Sequence, residues 1–180
     1  MAEEKKGPEM SALVDGDYRY ALRRVYSRPE EDDELALMPV CMLNPSIADA
    51  SIDDPTIRKL KGFIVDRWGY DGFTVVNLFA FRATFPGSLI KVADPVGPRN
   101  DEAIAAALAD AAGGTMLVGW GANLEDELIT PRAKFVVETA RRYEVTLKCL
   151  GVTNTGRPGH PLYLPYDRKL IDFEWMPGES

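Results

Sequence analysis

The side chains in this chain that could position a water or grip a heterocycle stand where apolar runs end. They are Asn44, Asn77, Asn123 and His160, with Pro45, Ser46, Arg82 and Trp120 beside them. Asn77 lies inside the run Phe73–Phe79, where a buried amide must find hydrogen-bond partners or cost stability. An amide offers donors and an acceptor together, which matches the edge of a heterocyclic base, although the same group can serve only to tie down a neighbouring loop. His160 is the single histidine, set in Gly159-His160-Pro161, and reads either as a catalytic donor or as a loop brace. Trp120, between Gly119 and Gly121, is either core or a point of close backbone approach near a ligand. Asp49, Asp53 and Asp54 offer a weak alternative, a Mg²⁺ site, but their spacing across a loop and helix cap has no metal specificity. Phosphate-binding glycine loops, zinc spacing and nucleophile-elbow or Cys–His patterns are missing, and nothing calls for a cofactor.

These residues need a scaffold that gathers them. Leu35–Leu43 is an apolar run that Asn44-Pro45 stops, because proline cannot continue a central strand. The acidic loop that follows runs to Asp54-Pro55, an N-cap and first helical residue, which open a helix to about Trp68. Strands are expected at 73–79, 115–119 and 145–150, with helices at Pro98–Ala112 and from Thr130-Pro131 to about Tyr143. Tyr18–Tyr26 alternates as a strand and is expected to pair antiparallel with 35–43 as an edge. Residues 1–14 show no period and are expected to fray, and 87–97 to be irregular. The alternation predicts one α/β domain over 15–180, a three-layer sandwich with a mostly parallel central sheet. In such a sheet the loops after the strands share one edge, so Asn44, Asn77, Asn123 and His160 are expected to meet there.

Composition narrows the function. The 180 residues are 46% hydrophobic and 27% charged, as in a soluble domain, and no apolar run reaches membrane length. Without a signal-peptide pattern, a cytoplasmic monomer is expected, with Cys41 and Cys149 as free core thiols. The net charge of −7 argues against a broad grip on nucleic acid but leaves room for a small basic pocket.

The blocks Leu43-Asn-Pro-Ser-Ile-Ala-Asp49, Asp53-Asp-Pro-Thr56, Trp68-Gly-Tyr70, Val76-Asn-Leu-Phe-Ala-x-Arg-Ala-Thr84, Asp94-Pro-Val-Gly-Pro-x-Asn-Asp101 and Gly159-His-Pro-Leu-Tyr163 resemble an uncharacterised bacterial and phage family, domain of unknown function 1643, over roughly residues 18–166. A second resemblance carries chemistry. Leu43-Asn-Pro-Ser46, Val75-Val-Asn-Leu78, Leu117-Val-Gly-Trp-Gly121 and His160-Pro161 are similar in order and placement to the motifs of the uracil-DNA glycosylase superfamily. That resemblance implies the superfamily's fold, with Asn44 positioning water, Asn77 reading a base edge and His160 assisting the departing base. It also implies a nucleobase, nucleotide or DNA as partner. The first motif here carries no acidic residue to activate the water. The alternative on the same fold is a non-catalytic module that binds nucleotides or nucleic-acid ends.

Overall fold

The computed structural model describes residues 8–28, 34–46 and 52–175. In chain order the elements are β1 (Glu9–Asp15), β2 (Tyr18–Val25), β3 (Leu37–Met42), α1 (Pro55–Ile64), β4 (Gly72–Asn77), α2 (Asn100–Asp110), β5 (Thr115–Val118), α3 (Asp126–Arg142), β6 (Thr146–Cys149) and β7 (Ile171–Asp172). Short 3-10 turns cover Pro86–Lys91 and Pro161–Tyr163. Among the described residues the seven strands join one sheet in the order β1-β2-β4-β3-β5-β6-β7.

The four apolar runs form the parallel centre, β4-β3-β5-β6, as expected. The edges are antiparallel: β1 and β2 on one side, β7 on the other. Pro39 is tolerated in central β3 because the ladder to β5 begins only at Val40, leaving no bond there to lose.

Period-2 alternation divides the core. Met38, Val40, Met42, Phe73 and Val75 point to one face and pack on Ile57, Leu60, Phe63 and Ile64 of α1. Cys41, Val76, Met116 and Val118 point to the other and pack on Ile104 and Leu108 of α2 and Ile129, Ala133 and Val136 of α3. Helices on both faces make the three layers. Cys41 and Cys149 are both buried and unpaired. No helix among the described residues is long and apolar enough to cross a membrane.

Several expectations are corrected. Residues 9–15 are not frayed but form β1, held by pairing with β2 across the two-residue turn Gly16-Asp17, where Gly16 has φ +55°. β2 pairs with β4 and not with β3, so a hairpin and not a single strand forms that antiparallel edge. α1 ends at Ile64, four residues short of Trp68, and Pro86–Lys91 winds into a 3-10 turn. α2 starts at Asn100 and ends at Asp110, inside the expected limits. α3 starts at Asp126, so Pro131 lies in its second turn. The bond that Pro131 forfeits would go to the carbonyl of Glu127, an exposed first-turn residue that water can serve.

Candidate functional site

Alternation carries past the strand ends and builds a cavity at the carboxyl edge of the sheet. Met42 faces α1, so two residues on Asn44 is brought to the same side; Val75 likewise leads to Asn77. The N-terminus of α1 closes the opposite wall with Asp54, Thr56, Ile57 and Leu60. The cavity measures about 60 Å³ and is also lined by Arg19, Ser46 and His160. That is far below the roughly 300–1,000 Å³ of sites that enclose a drug-sized ligand, so it suits a ring edge or one functional group.

Arg19 reaches this face through a bulge. Leu13 pairs with Ala21 but Val14 with Arg19, leaving Tyr20 as the extra residue of β2. The bulge reverses the alternation, so Arg19 shares the cavity side with Leu22, three residues on, and not the opposite one. Arg19 is only 5% exposed. Burial lowers its pKa to about 10; Arg82 and Arg24 push the same way and Asp54 opposes them, so it stays cationic at neutral pH.

His160 is delivered by a loop made rigid by its own bonds. Gly159 N–H donates to the Gly151 carbonyl (2.7 Å) and Gly121 N–H to that of Pro158 (2.9 Å). Buried Arg157 ties the same loop to the start of α3, donating to the Leu124 carbonyl at 2.6 Å and pairing with Asp126. At Gly119 a side chain would meet Pro161 at 2.7 Å, and at Gly121 it would approach His160 Cβ to 3.3 Å. The glycines around Trp120 therefore admit the His-Pro loop itself. Leu162 N–H donates to Nδ1 of His160 (3.3 Å), which leaves Nε2 as the protonated nitrogen of the neutral ring. Burial lowers the His160 pKa against a smaller opposing pull from Asp54 and so favours that neutral form.

The remaining wall groups are held as firmly. Asn44 spends both hydrogens of Nδ2 on the carbonyls of Pro45 (3.0 Å) and Ala83 (2.8 Å), leaving its Oδ1 as an acceptor. Asp54 accepts from Ile57 N–H (2.8 Å) as the N-cap and from Ser46 Oγ (2.6 Å). Asn77 is 2% exposed, and its Nδ2 has no hydrogen-bond partner.

Four of the expected site residues thus share the cavity: Asn44, Ser46, Asn77 and His160. Four do not line it. Pro45 is buried behind Asn44 and braces Ala83 N–H through its carbonyl (3.0 Å). Arg82 is half-buried outside the lining, and Asn123 is exposed. Trp120 is core, fully buried on the α2–α3 face and edge-on to Phe173.

Of the acidic trio, Asp53 and Asp54 are turned to different partners. Asp53 is taken by Arg24 Nε and Tyr26 Oη, each at 2.8 Å, while Asp54 faces the cavity. Asp49 lies outside the described residues, and among those residues no acidic, histidine or cysteine cluster could hold a metal ion.

Sequence reasoning missed Arg19 and the place of Asp54 on the cavity wall. It also missed Asn100, whose Nδ2 donates to the carbonyls of Asn77 and Leu78, each at 3.0 Å. An asparagine heading an alanine-rich helix was the available signal for the last of these.

The structure is thus an α/β domain with a sheet-edge cavity lined by amides, an imidazole and a buried arginine. The chain belongs to the DUF1643 family of proteins of unknown function, whose sequence pattern matches residues 19–162. Neither a curated protein nor a solved structure matches it.

Proposed function

We propose that the protein is a glycosylase-like hydrolase that cleaves the N-glycosidic bond of a nucleobase, modified or not, in DNA or a nucleotide. The observation that carries this reading is the buried Nδ2 of Asn77, left without a partner on a cavity it shares with His160. A buried donor without an acceptor costs about 1–3 kcal/mol, and a base carbonyl or ring nitrogen entering the cavity would satisfy it. Met42, Ile57, Leu60 and Val75 supply apolar walls for the edge of a flat ring. The resemblance to the uracil-DNA glycosylase superfamily supports the same assignment of Asn44, Asn77 and His160.

In this mechanism the bond from C1′ to the base nitrogen breaks and its electron pair leaves with the base. The Nε2–H of neutral His160 and the amide of Asn77 stabilise the anionic base as it departs. Water adds to the oxocarbenium-like C1′, oriented by Oδ1 of Asn44, and its proton passes to Asp54. Asp54 supplies from the cap of α1 the carboxylate that the first motif lacks. Acting within a duplex would require flipping the base out.

The small volume of the cavity favours a second reading, a binding module that grips one group of a nucleotide without turning it over. Calorimetry with free bases and nucleosides tests the shared base pocket. Asn77→Asp should weaken binding at least about tenfold, because a carboxylate replaces the donor, while the fold survives. Unchanged affinity for every base would overturn the pocket assignment.

A further inference from the structure

Charge is unevenly spread along this chain. Residues 55–70 and 163–170 hold six of its 21 basic residues but only two of its 28 acidic ones, a net charge of +4 against −11 for the remainder. The fold brings these two segments together. The Pro161–Tyr163 turn packs on α1, and the ring of Tyr166 lies 4.9 Å from that of Phe63. Gly62 makes room for this contact, since a side chain there would collide with the Tyr166 ring. Lys59 closes over the same ring, its Nζ 3.7 Å from the centroid, and this cation–π contact holds the ammonium at the seam between helix and tail.

The seam runs to the mouth of the cavity. Thr56, Ile57 and Leu60 line the cavity, while Arg58 on the same turn of α1 is exposed and Lys59 half-buried. Arg168 and Lys169, just beyond Tyr166, are exposed too. Lys61 is already paired with Asp66 (2.7 Å), and Asp53 at the head of α1 with Arg24 (2.8 Å). Tyr163 is 74% exposed, with its ring 5.5 Å from that of His160.

We infer that this seam binds a single-stranded nucleic acid, with Arg58, Lys59, Arg168 and Lys169 against its phosphates and Tyr163 against an unpaired base beside the cavity. The phosphates lie outside the cavity, which keeps its place for the base edge. A single strand is favoured over a duplex because the cationic seam is narrow and the acidic remainder would repel a second phosphate backbone. An aromatic face also reaches the faces of bases only where they are unpaired. The inference rests on the proposed hydrolase for the base at the cavity, and adds that the substrate is a polymer whose target base needs no extrusion from a duplex.

Fluorescence anisotropy with a labelled, unmodified oligothymidylate reads the seam with no bond broken, so base release can fail while strand binding stands. At low salt the strand should bind at least about tenfold tighter than a duplex of the same length, and its log affinity should fall with log salt by about 0.7 for each phosphate engaged. Arg58→Glu with Lys59→Glu, and separately Arg168→Glu with Lys169→Glu, should each weaken binding about tenfold or more and flatten that slope. Arg141→Glu with Arg142→Glu, exposed at the C-terminal end of α3, changes the net charge equally and should alter affinity less than about twofold. Tyr163→Ala should weaken binding about fivefold or more. No strand binding at low salt, equal affinity for duplex, equal competition by polyglutamate at matched charge, or an equal loss in the α3 pair would overturn the seam.

Discussion

Asn100 holds Asn77 from behind, its Nδ2 donating to the Asn77 carbonyl at 3.0 Å while a second bond of equal length reaches Leu78. Arg132 adds a bond from Nε to the Leu78 carbonyl at 2.9 Å and is itself paired with Asp101 at 2.7 Å. The end of β4 is thus pinned by α2 and α3, the two helices on the far face of the sheet, and Asn77 faces the cavity from a fixed backbone. Asn100→Ala should cost about 1–3 kcal/mol, since it strands buried carbonyls, and should also weaken base binding. Urea unfolding with a parallel binding titration reads both.

Trp120 separates core from site. Its ring is fully buried against Phe173, so Trp120→Ala should destabilise by about 3–5 kcal/mol. Ligand affinity, measured well below the lowered melting temperature, should stay within about twofold of wild type. A large affinity loss at full stability would return Trp120 to the site.

The protonation of His160 should appear in stability as well as in binding. Its folded pKa lies below the ordinary value of 6.5, so below that pH the unfolded chain takes up a proton that the folded chain resists. The contribution is fully present above pH 6.5, is lost as pH falls, and levels off once pH passes below the folded pKa. His160→Gln should remove this part of the slope. An unchanged slope between about pH 7 and 5 in the variant would show that the imidazole is not held neutral.

The thiols offer a check on the core. Burial pushes Cys41 up to about 12 and raises Cys149 as well, so neither should react in the native protein. Denatured, unreduced protein should titrate both cysteines. Finding none would contradict the unpaired assignment.

The parallel centre was legible because β3, β4, β5 and β6 are apolar runs bounded by glycine, proline or polar turns, and burial on both faces demands that pattern. β1 was not legible, because most of its residues are exposed and its hold is the backbone ladder to β2. The Gly16-Asp17 turn was a sequence signal for that hairpin that composition masked. Pro131 looked like a helix start, but the acidic residues Asp126 and Glu127 ahead of it mark the true first turn.

In the site, Asn44, Asn77 and His160 were legible because each interrupts or follows an apolar run at the same sheet edge. Arg19 was hidden by the bulge, since strict alternation in β2 assigns it to the other face. Trp120 was ambiguous because its flanking glycines serve the packing of Pro161 and His160, which only the fold reveals. Asp54 was visible as a cap, and its second role depends on where α1 lands.

The central claim is that His160, Asn77 and Asn44 act together on a glycosidic bond. Its most direct measurement is release of free base, followed by mass spectrometry, from a panel of oligonucleotides and nucleotides carrying natural and modified bases. Wild-type protein should release at least one base, and His160→Ala should lower that rate on the order of a hundredfold to a thousandfold while remaining folded. His160→Gln, which keeps a donor, should recover part of it. No released base across the panel, or release undiminished in His160→Ala, would contradict the account.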